Sequence, residues 1–242
     1  MNDLDGKWIL ITGGAVRIGR VLALGLAREG ANIILHYGLS KISAEKTAKE
    51  VQELGSNVLL IQADLANPED VHQLMEKAFN WSSVYALINN ASVFDPLTWE
   101  DTSLLEWDRT LRINLTAPFL LSQSFAKYLP KQQHGRIINL LDWRAFRPGT
   151  DHFPYTISKS ALAALTASLA QAFAPNISVN GLALGAILPP TDGQDLVDIL
   201  SRVPSQRWGD LEEVVRSALF LLSGPSYITG EILHLDGGRH LV

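Results

Sequence analysis

The sequence contains no cysteine, so neither a disulfide framework nor thiolate chemistry is open to it. No apolar run approaches the roughly 18 residues that a membrane span needs. Positive charge is not in surplus: 20 Lys and Arg face 25 Asp and Glu, and a net charge of −5 argues against a nucleic-acid face. The six histidines form no close-spaced ligand set, so no metal site is expected. Met1 to Lys7 is polar and acidic, unlike a secretory leader, and a cytoplasmic location is the expectation. Repeats, low-complexity tracts and linkers are absent as well, so residues 1–242 are expected to form one domain.

What is present is material for a large core, with 47% hydrophobic and 19% charged residues. Apolar, β-branched runs recur at Trp8 to Thr12, Asn32 to His36, Val58 to Gln62, Tyr85 to Asn89, Arg136 to Leu141, Ile177 to Leu182 and Ile232 to Leu235. Helical patterns fall between them. They run from Ile18 to Glu29 with a Gly30 stop, Ser43 to Leu54 with a Gly55 stop, and Asn67-Pro68 to about Phe79. Ser103 to Lys127 reads as one long helix interrupted near Pro118, and Asp210-Leu-Glu-Glu213 has capping-box character before a helix to about Leu222. Seven strands alternating with helices predict an α/β doubly wound, mainly parallel seven-stranded sheet. Ligands in such sheets sit beyond the carboxyl ends of the strands. The longest irregular stretch, Ala183 to Gln194, contains Pro189-Pro190 and Gly193 and is expected to act as a lid.

Two stretches carry chemistry. Thr12-Gly13-Gly14-Ala15-Val16-Arg17-Ile18-Gly19 joins the first strand to the first helix, where glycines let backbone approach a pyrophosphate. By itself it could equally be a plain βα turn. Dinucleotide folds that prefer NAD carry an acid at the end of the second strand. Here the stretch is His36-Tyr37-Gly38-Leu39-Ser40-Lys41, with no acid; Ser40, Lys41 and His36 would suit a 2′-phosphate, and NADP is expected. The second stretch is Tyr155-Thr-Ile-Ser-Lys159. A Tyr and a Lys four apart share a helix face, and a neighbouring ammonium favours the phenolate, so a lowered Tyr155 pKa is expected. Alone, such a pair is more often an ordinary helix face with a snorkelling lysine.

These features, with Asp64 and Leu65 after the third strand, Asn89-Asn90-Ala91-Ser92 after the fourth, and Asn114, resemble the short-chain dehydrogenase/reductase family across essentially the whole chain. The resemblance implies a single Rossmann-type domain, hydride transfer with a nicotinamide and a homotetramer. Tyr155 would be the acid/base. Lys159 would hold the nicotinamide ribose and lower the Tyr155 pKa, and Asn114 would support a relay water. Gly13, Ile18, Gly19, Tyr37, Leu65, Asn90, Ala91, Ser92 and Gly185 would line the cofactor.

Two departures narrow it. Arg17 stands where most members have Gly, and Asp142 where most have Ser, thirteen residues before Tyr155. Both changes, and Phe94, are similar to pteridine reductases and bacterial dihydromonapterin reductases, as is the ending Leu235-Asp-Gly-Gly-Arg-His-Leu241. That resemblance implies Arg17 by the phosphates and pterin, Phe94 stacked on the pterin, and Asp142 working with Tyr155 in proton delivery to a dihydropterin. It assigns nothing to Trp143, Arg144 and Arg147. Leu39 stands where the parasite enzymes have a basic residue, and Leu184-Gly185 replaces the usual Pro-Gly. Taken singly, Phe94 could be core, Arg17 could pair with a surface carboxylate and Asp142 could cap a turn. An ionised Asp would repel a developing alkoxide, whereas a pterin offers N–H donors and a nitrogen to protonate. The rival readings are an NADPH-dependent carbonyl or 3-oxoacyl thioester reductase, and a cofactor-binding regulator without turnover.

Overall fold

The computed structural model describes residues 3–188 and 196–242. Seven strands form one parallel sheet: β1 Trp8–Ile11, β2 Asn32–Tyr37, β3 Val58–Gln62, β4 Val84–Asn89, β5 Gly135–Asp142, β6 Ile177–Leu184 and β7 Ile232–Leu235. Their order is β3-β2-β1-β4-β5-β6-β7, so the chain reverses direction across the sheet between β1 and β4. Strand order of this kind opens a crevice at the carboxyl ends beside β1, where the Gly-rich turn lies.

The strands read as continuous apolar runs because helices cover both faces. Side chains alternate. Ile9, Ile11, Ile33 and Leu35 join Leu22, Leu26, Val214 and Ala218 in one core, under α1 Arg17–Arg28, α2 Lys41–Glu53 and α8 Leu211–Ser223. Leu10, Ile34, Leu87, Ile137 and Val179 join Leu74, Leu121, Phe125 and Leu169 in the other, under α3 Pro68–Trp81, α5 Ala117–Tyr128 and α6 Phe153–Phe173.

Helix starts follow the expected chemistry. The Asn67 side chain accepts from the Glu69 N–H at the head of α3, with Pro68 in its first turn. Asp210 and Glu213 close a full capping box on α8. The expected long helix is instead α4 Leu104–Leu111, a π-helical turn Arg112–Thr116, and α5. Pro118 cannot donate to the carbonyl four residues back, that of Asn114, and the π turn falls over that gap. The Ala117 N–H reaches back five residues to the Arg112 carbonyl. Past β6, a short helix α7 spans Leu196–Ser201. Of the stretch expected to form a lid, residues 189–194 lie outside the described residues, and Ala183 and Leu184 belong to β6. Among the described residues no helix is long and apolar enough to cross a membrane.

Candidate active site

The Gly-rich turn is built for close backbone approach. Gly13 holds φ +63°, and a side chain on Gly19 would put its Cβ 2.0 Å from the Gly13 carbonyl oxygen. Thr12 Oγ accepts the N–H groups of Asn90 and Ala91 at 2.9 and 3.0 Å, and Asn90 Nδ2 donates to the Thr12 and Gly13 carbonyls at 2.8 and 3.2 Å. Asn90 and Ala91 thus clamp the turn from the end of β4. At the head of α1 the N-cap, Val16, contributes no side-chain bond, and the first turn has no acid. Its N–H groups are left for an anion, as a helix N-terminus favours. Arg17 opens this helix, with Ile18 half-buried behind it. Arg17 is exposed, has no ion pair among the described residues, and holds φ +50°, a left-handed conformation that glycine adopts freely and arginine does not. Open donors, close glycine backbone and one unspent cation fit a dinucleotide's diphosphate.

His36 is a correction to the expected 2′-phosphate set. It is 2% exposed, its Nδ1 accepts the Gly13 N–H at 3.1 Å, and its Nε2 pairs with the Ala63 carbonyl at 3.1 Å. Burial holds its pKa down to about 4, only partly offset by the Ala63 bond, so the ring is neutral. His36 tethers the Gly-rich turn to β2 and β3 and supplies no cation. Tyr37 is buried at the end of β2. Ser40 and Lys41 are exposed at the head of α2; the Ser40 side chain makes no cap bond, and Lys41 Nζ stands 3.9 Å from Glu45. Asp64 is exposed and folds back on the Ala66 N–H at 2.9 Å, while Leu65 is buried. Ser92 is exposed, and Gly185 donates to the Leu235 carbonyl at 3.0 Å, tying the end of β6 to β7.

The other half of the site forms where β5 ends and α6 begins. Tyr155 lies in the first turn of α6 and Lys159 one turn later. The Tyr155 hydroxyl donates to Asp142 Oδ2 at 3.0 Å. Asp142 Oδ1 accepts the Arg144 backbone N–H at 2.9 Å and lies 3.8 Å from that residue's guanidinium. Buried Lys159 donates to the Leu140 carbonyl at 2.7 Å, and its Nζ lies 5.6 Å from the Tyr155 ring centroid. Burial brings the Lys159 pKa down to about 8, against the opposing pull of Asp142. The Tyr155 pKa is raised well above its ordinary value, first by burial and then by the charge of Asp142 and the bond to it, with Arg144 opposing. This reverses the expected lowering: the Lys159 ammonium is turned to a carbonyl, and a carboxylate holds the phenol's proton. Tyr155 therefore keeps its proton at neutral pH.

Asn114 sits inside the π turn, fully buried. Its Oδ1 accepts the Val93 N–H at 2.9 Å, and its Nδ2 donates to the Val93 carbonyl at 3.0 Å and to Ser158 Oγ at 3.1 Å. Ser158 Oγ in turn donates to the Tyr155 carbonyl at 2.6 Å. Asn114 therefore couples the strand exit that carries Phe94 to the first turn of α6.

Phe94 is 48% exposed beside this cluster. One of its faces is taken by the His152 ring, at 3.7 Å between centroids and 8° between planes, and it meets Tyr155 edge-on at 4.5 Å. His152 was not singled out from the sequence. It holds φ +48° just before α6, and its Nδ1 lies 3.0 Å from the Asp95 carbonyl. Burial, and then the Arg144 charge, lower its pKa. Pro154 in the first turn of α6 suits the helix start that fixes its place. Arg144 also gains a place: it binds Asp151 at 2.7 Å and lies 5.5 Å over Phe94 and 4.8 Å over Trp143. Arg147 is exposed, and among the described residues no side-chain contact gives it a role.

Known proteins are similar to this chain in sequence and fold. The family model described as short chain dehydrogenase matches residues 7–197. A Brucella canis structure of FolM alternative dihydrofolate reductase 1, complexed with NADP, superposes with a TM-score of 0.91 at 35% identity, covering 99% of this chain and 96% of that one. The Bacillus subtilis 2-dehydro-3-deoxy-D-gluconate 5-dehydrogenase is 34% identical over 98% of this chain and 95% of its own length. The Aquifex aeolicus 3-oxoacyl-[acyl-carrier-protein] reductase FabG is 34% identical over 97% and 98%. From the anion cradle beside β1 to the Tyr155 and Lys159 pair on α6, this chain belongs to the short-chain dehydrogenase family of oxidoreductases.

Proposed function

We propose that the protein is an NADPH-dependent reductase of dihydropterins. The observation that carries this reading is the 3.0 Å hydrogen bond from the Tyr155 hydroxyl to Asp142. A carboxylate at this point is poorly suited to a ketone, because it would face the negative charge growing on the carbonyl oxygen. It suits a ring that presents N–H donors and has a nitrogen to protonate. The FolM relative, whose name is that of a dihydrofolate reductase, supports the same substrate class.

When bound, reduced NADP supplies the hydride. Gly13, Gly19, the first-turn N–H groups of α1 and Arg17 would hold its diphosphate, and Ser40 and Lys41 its 2′-phosphate. Asn90 and Ala91 keep the cradle in shape from below, and Lys159 would reach the nicotinamide ribose. Tyr155, neutral at physiological pH, delivers the proton. Asp142 keeps the phenol aimed and accepts from the substrate's N–H groups. Phe94 offers the face not taken by His152 to a flat ring. Assembly as a homotetramer in the cytoplasm belongs to the same proposal, on family resemblance.

The gluconate dehydrogenase and FabG relatives favour a second reading, a ketone or 3-oxoacyl thioester reductase. Oxidation of NADPH and NADH is followed with dihydrobiopterin, dihydromonapterin, dihydrofolate, a simple ketone and a 3-oxoacyl thioester. The proposal expects turnover of the pterins with NADPH preferred. Turnover of the ketone or thioester alone would replace it with the second reading.

A further inference from the structure

We infer that His152 is a positioning residue: by stacking face to face on Phe94 it fixes the plane on which a flat substrate ring lies, and so sets that ring's angle to the Tyr155 hydroxyl. It rests on the dihydropterin reading, which supplies the flat ring.

Phe94 does not hold its own plane. It lies in the irregular stretch 90–103 after β4, and its ring is 48% exposed. A half-exposed aromatic on irregular backbone keeps rotamer freedom unless other groups take it away. Two rings do so. The His152 ring lies parallel to it at 3.7 Å and 8°, and the Tyr155 ring stands across it at 4.5 Å and 79°. An edge contact still allows tilt, whereas a parallel contact covers a face and sets its plane.

His152 is itself held firmly. Its ring is a buried wall behind Phe94, and its Nδ1 lies 3.0 Å from the Asp95 carbonyl. A carbonyl only accepts, so Nδ1 carries the proton and donates. The backbone sits in the left-handed region at φ +48° and ψ 48°, which a residue keeps only where its surroundings over-determine it. Here the His152 carbonyl accepts the Thr156 N–H at 2.9 Å, and the next residue, Phe153, donates its N–H to the Leu97 carbonyl at 2.7 Å. Asp95 and Leu97 lie just past Phe94, so the loop is clasped to the start of α6 on both its backbone and its ring. Burial first, and then Arg144, lower the His152 pKa against the pull of the Asp95 carbonyl, Asp151 and Asp142. The ring is therefore neutral at neutral pH and stacks without repelling Arg144.

Helix α6 thus carries both references for the reaction. His152 is its N-cap residue, and Tyr155 lies in its first turn. A ring stacked on Phe94 takes its plane from His152 and its proton from Tyr155. Displacing a reacting group by about 1 Å can cost about 10²-fold in rate. Loss of the His152 ring should therefore fall on kcat, while the stacking area of Phe94, and with it KM, is largely kept.

The test compares His152→Asn and His152→Phe with wild type. Asparagine tolerates the left-handed backbone and can donate to the Asp95 carbonyl, but has no ring; phenylalanine keeps a ring and loses the donor. With dihydrobiopterin and NADPH, kcat should fall about 10- to 100-fold in H152N with KM within about threefold, and H152F should recover to within about fivefold of wild type although it is the less stable variant. A merely structural role would rank activity with stability, H152N above H152F; that ranking, or an unchanged kcat in H152N, overturns the proposal. The Phe94 ring is read directly by fluorine NMR on protein labelled with para-fluorophenylalanine, its signal assigned by its loss in Phe94→Leu. The ring current of His152 should displace that signal in wild type, and in H152N it should move to the position of an unstacked ring. A signal that stays in place in H152N overturns the proposal. Should wild type reduce no dihydropterin while the Phe94 signal moves, the dihydropterin reading falls and the positioning of Phe94 by His152 stands.

Discussion

Replacing Asp142 with serine restores the hydroxyl that most of the family would carry and removes the carboxylate that distinguishes this site. Two losses can be sized. The Tyr155 hydroxyl loses a charged acceptor at 3.0 Å, a bond worth about 1.5–3 kcal/mol net. Arg144 loses a carboxylate 3.8 Å away, a Coulomb attraction of about 4 kcal/mol at an effective dielectric constant near 20, set against the desolvation that both ions no longer suffer. A serine hydroxyl can still accept the Arg144 N–H in a tight turn. The net cost should be about 2 kcal/mol, or a fall in Tm of about 4–8 °C, so the fold survives. Chemistry should suffer more, with dihydropterin turnover down about 10²–10⁴-fold as the acid pair is broken. The Tyr155 pKa should fall as well, because Asp142 is one of the groups that raise it, and the alkaline limb of the rate profile should move to lower pH. Reduced-cofactor oxidation across pH, with thermal denaturation alongside, reads all three. Dihydropterin turnover within about twofold of wild type would falsify the assigned role of Asp142 and favour the ketone reading.

Three further outcomes are expected. His36→Ala removes a buried ring and both of its tethers, so stability should drop by about 2–4 kcal/mol and the cofactor KM should rise; an unchanged melt and KM would show the tether to be idle. Arg17→Gly relieves about 1–2 kcal/mol of left-handed strain against about 0.5–1 kcal/mol of added chain entropy. Tm should therefore hold or rise slightly while the KM for NADPH and the KM for NADH rise together, and a marked loss of Tm contradicts the strain. The Lys159 pKa is depressed in the folded protein to about 8 from 10.5, so between those values the unfolded chain binds the extra proton and stability from this group rises with pH. The unfolding free energy of wild type minus Lys159→Met should increase by about 3 kcal/mol across that window and stay flat at neutral pH, and a flat difference throughout would refute the burial cost.

The sheet was legible because its strands are unbroken apolar runs punctuated by Gly30, Gly55 and the Asn67-Pro68 cap, signals that act locally. Tyr155 and Lys159 could be paired because a helix fixes their spacing, and Asp142 joined them through the family resemblance, thirteen residues before Tyr155. Charge states were not legible. Tyr155 reads as a phenolate next to a lysine until the fold shows the lysine bound to Leu140 and the carboxylate on the phenol. His36 reads as a cation until burial and two neighbours, 23 and 27 residues away, make it a neutral bracket. The stack of His152 on Phe94 joins residues with no shared period, and no local pattern announces it.

The π turn at Arg112–Thr116 has a consequence for how this chain can be altered. A π turn carries one residue more than the α-helical turn it replaces, and each residue of helix advances the phase by about 100°. Deleting one residue there would return the turn to α-helical phase from α4 into α5, apart from the bond that Pro118 cannot make. The same deletion would swing Asn114 off Val93 and Ser158, or rotate α4 against the body of the protein. A length polymorphism that looks like a repair of the backbone would therefore unhitch the Phe94 strand exit from the first turn of α6. Single-residue deletions across 112–116 should be tolerated as protein and lost as catalyst, which separates heritable length constraint from composition at this point in the chain.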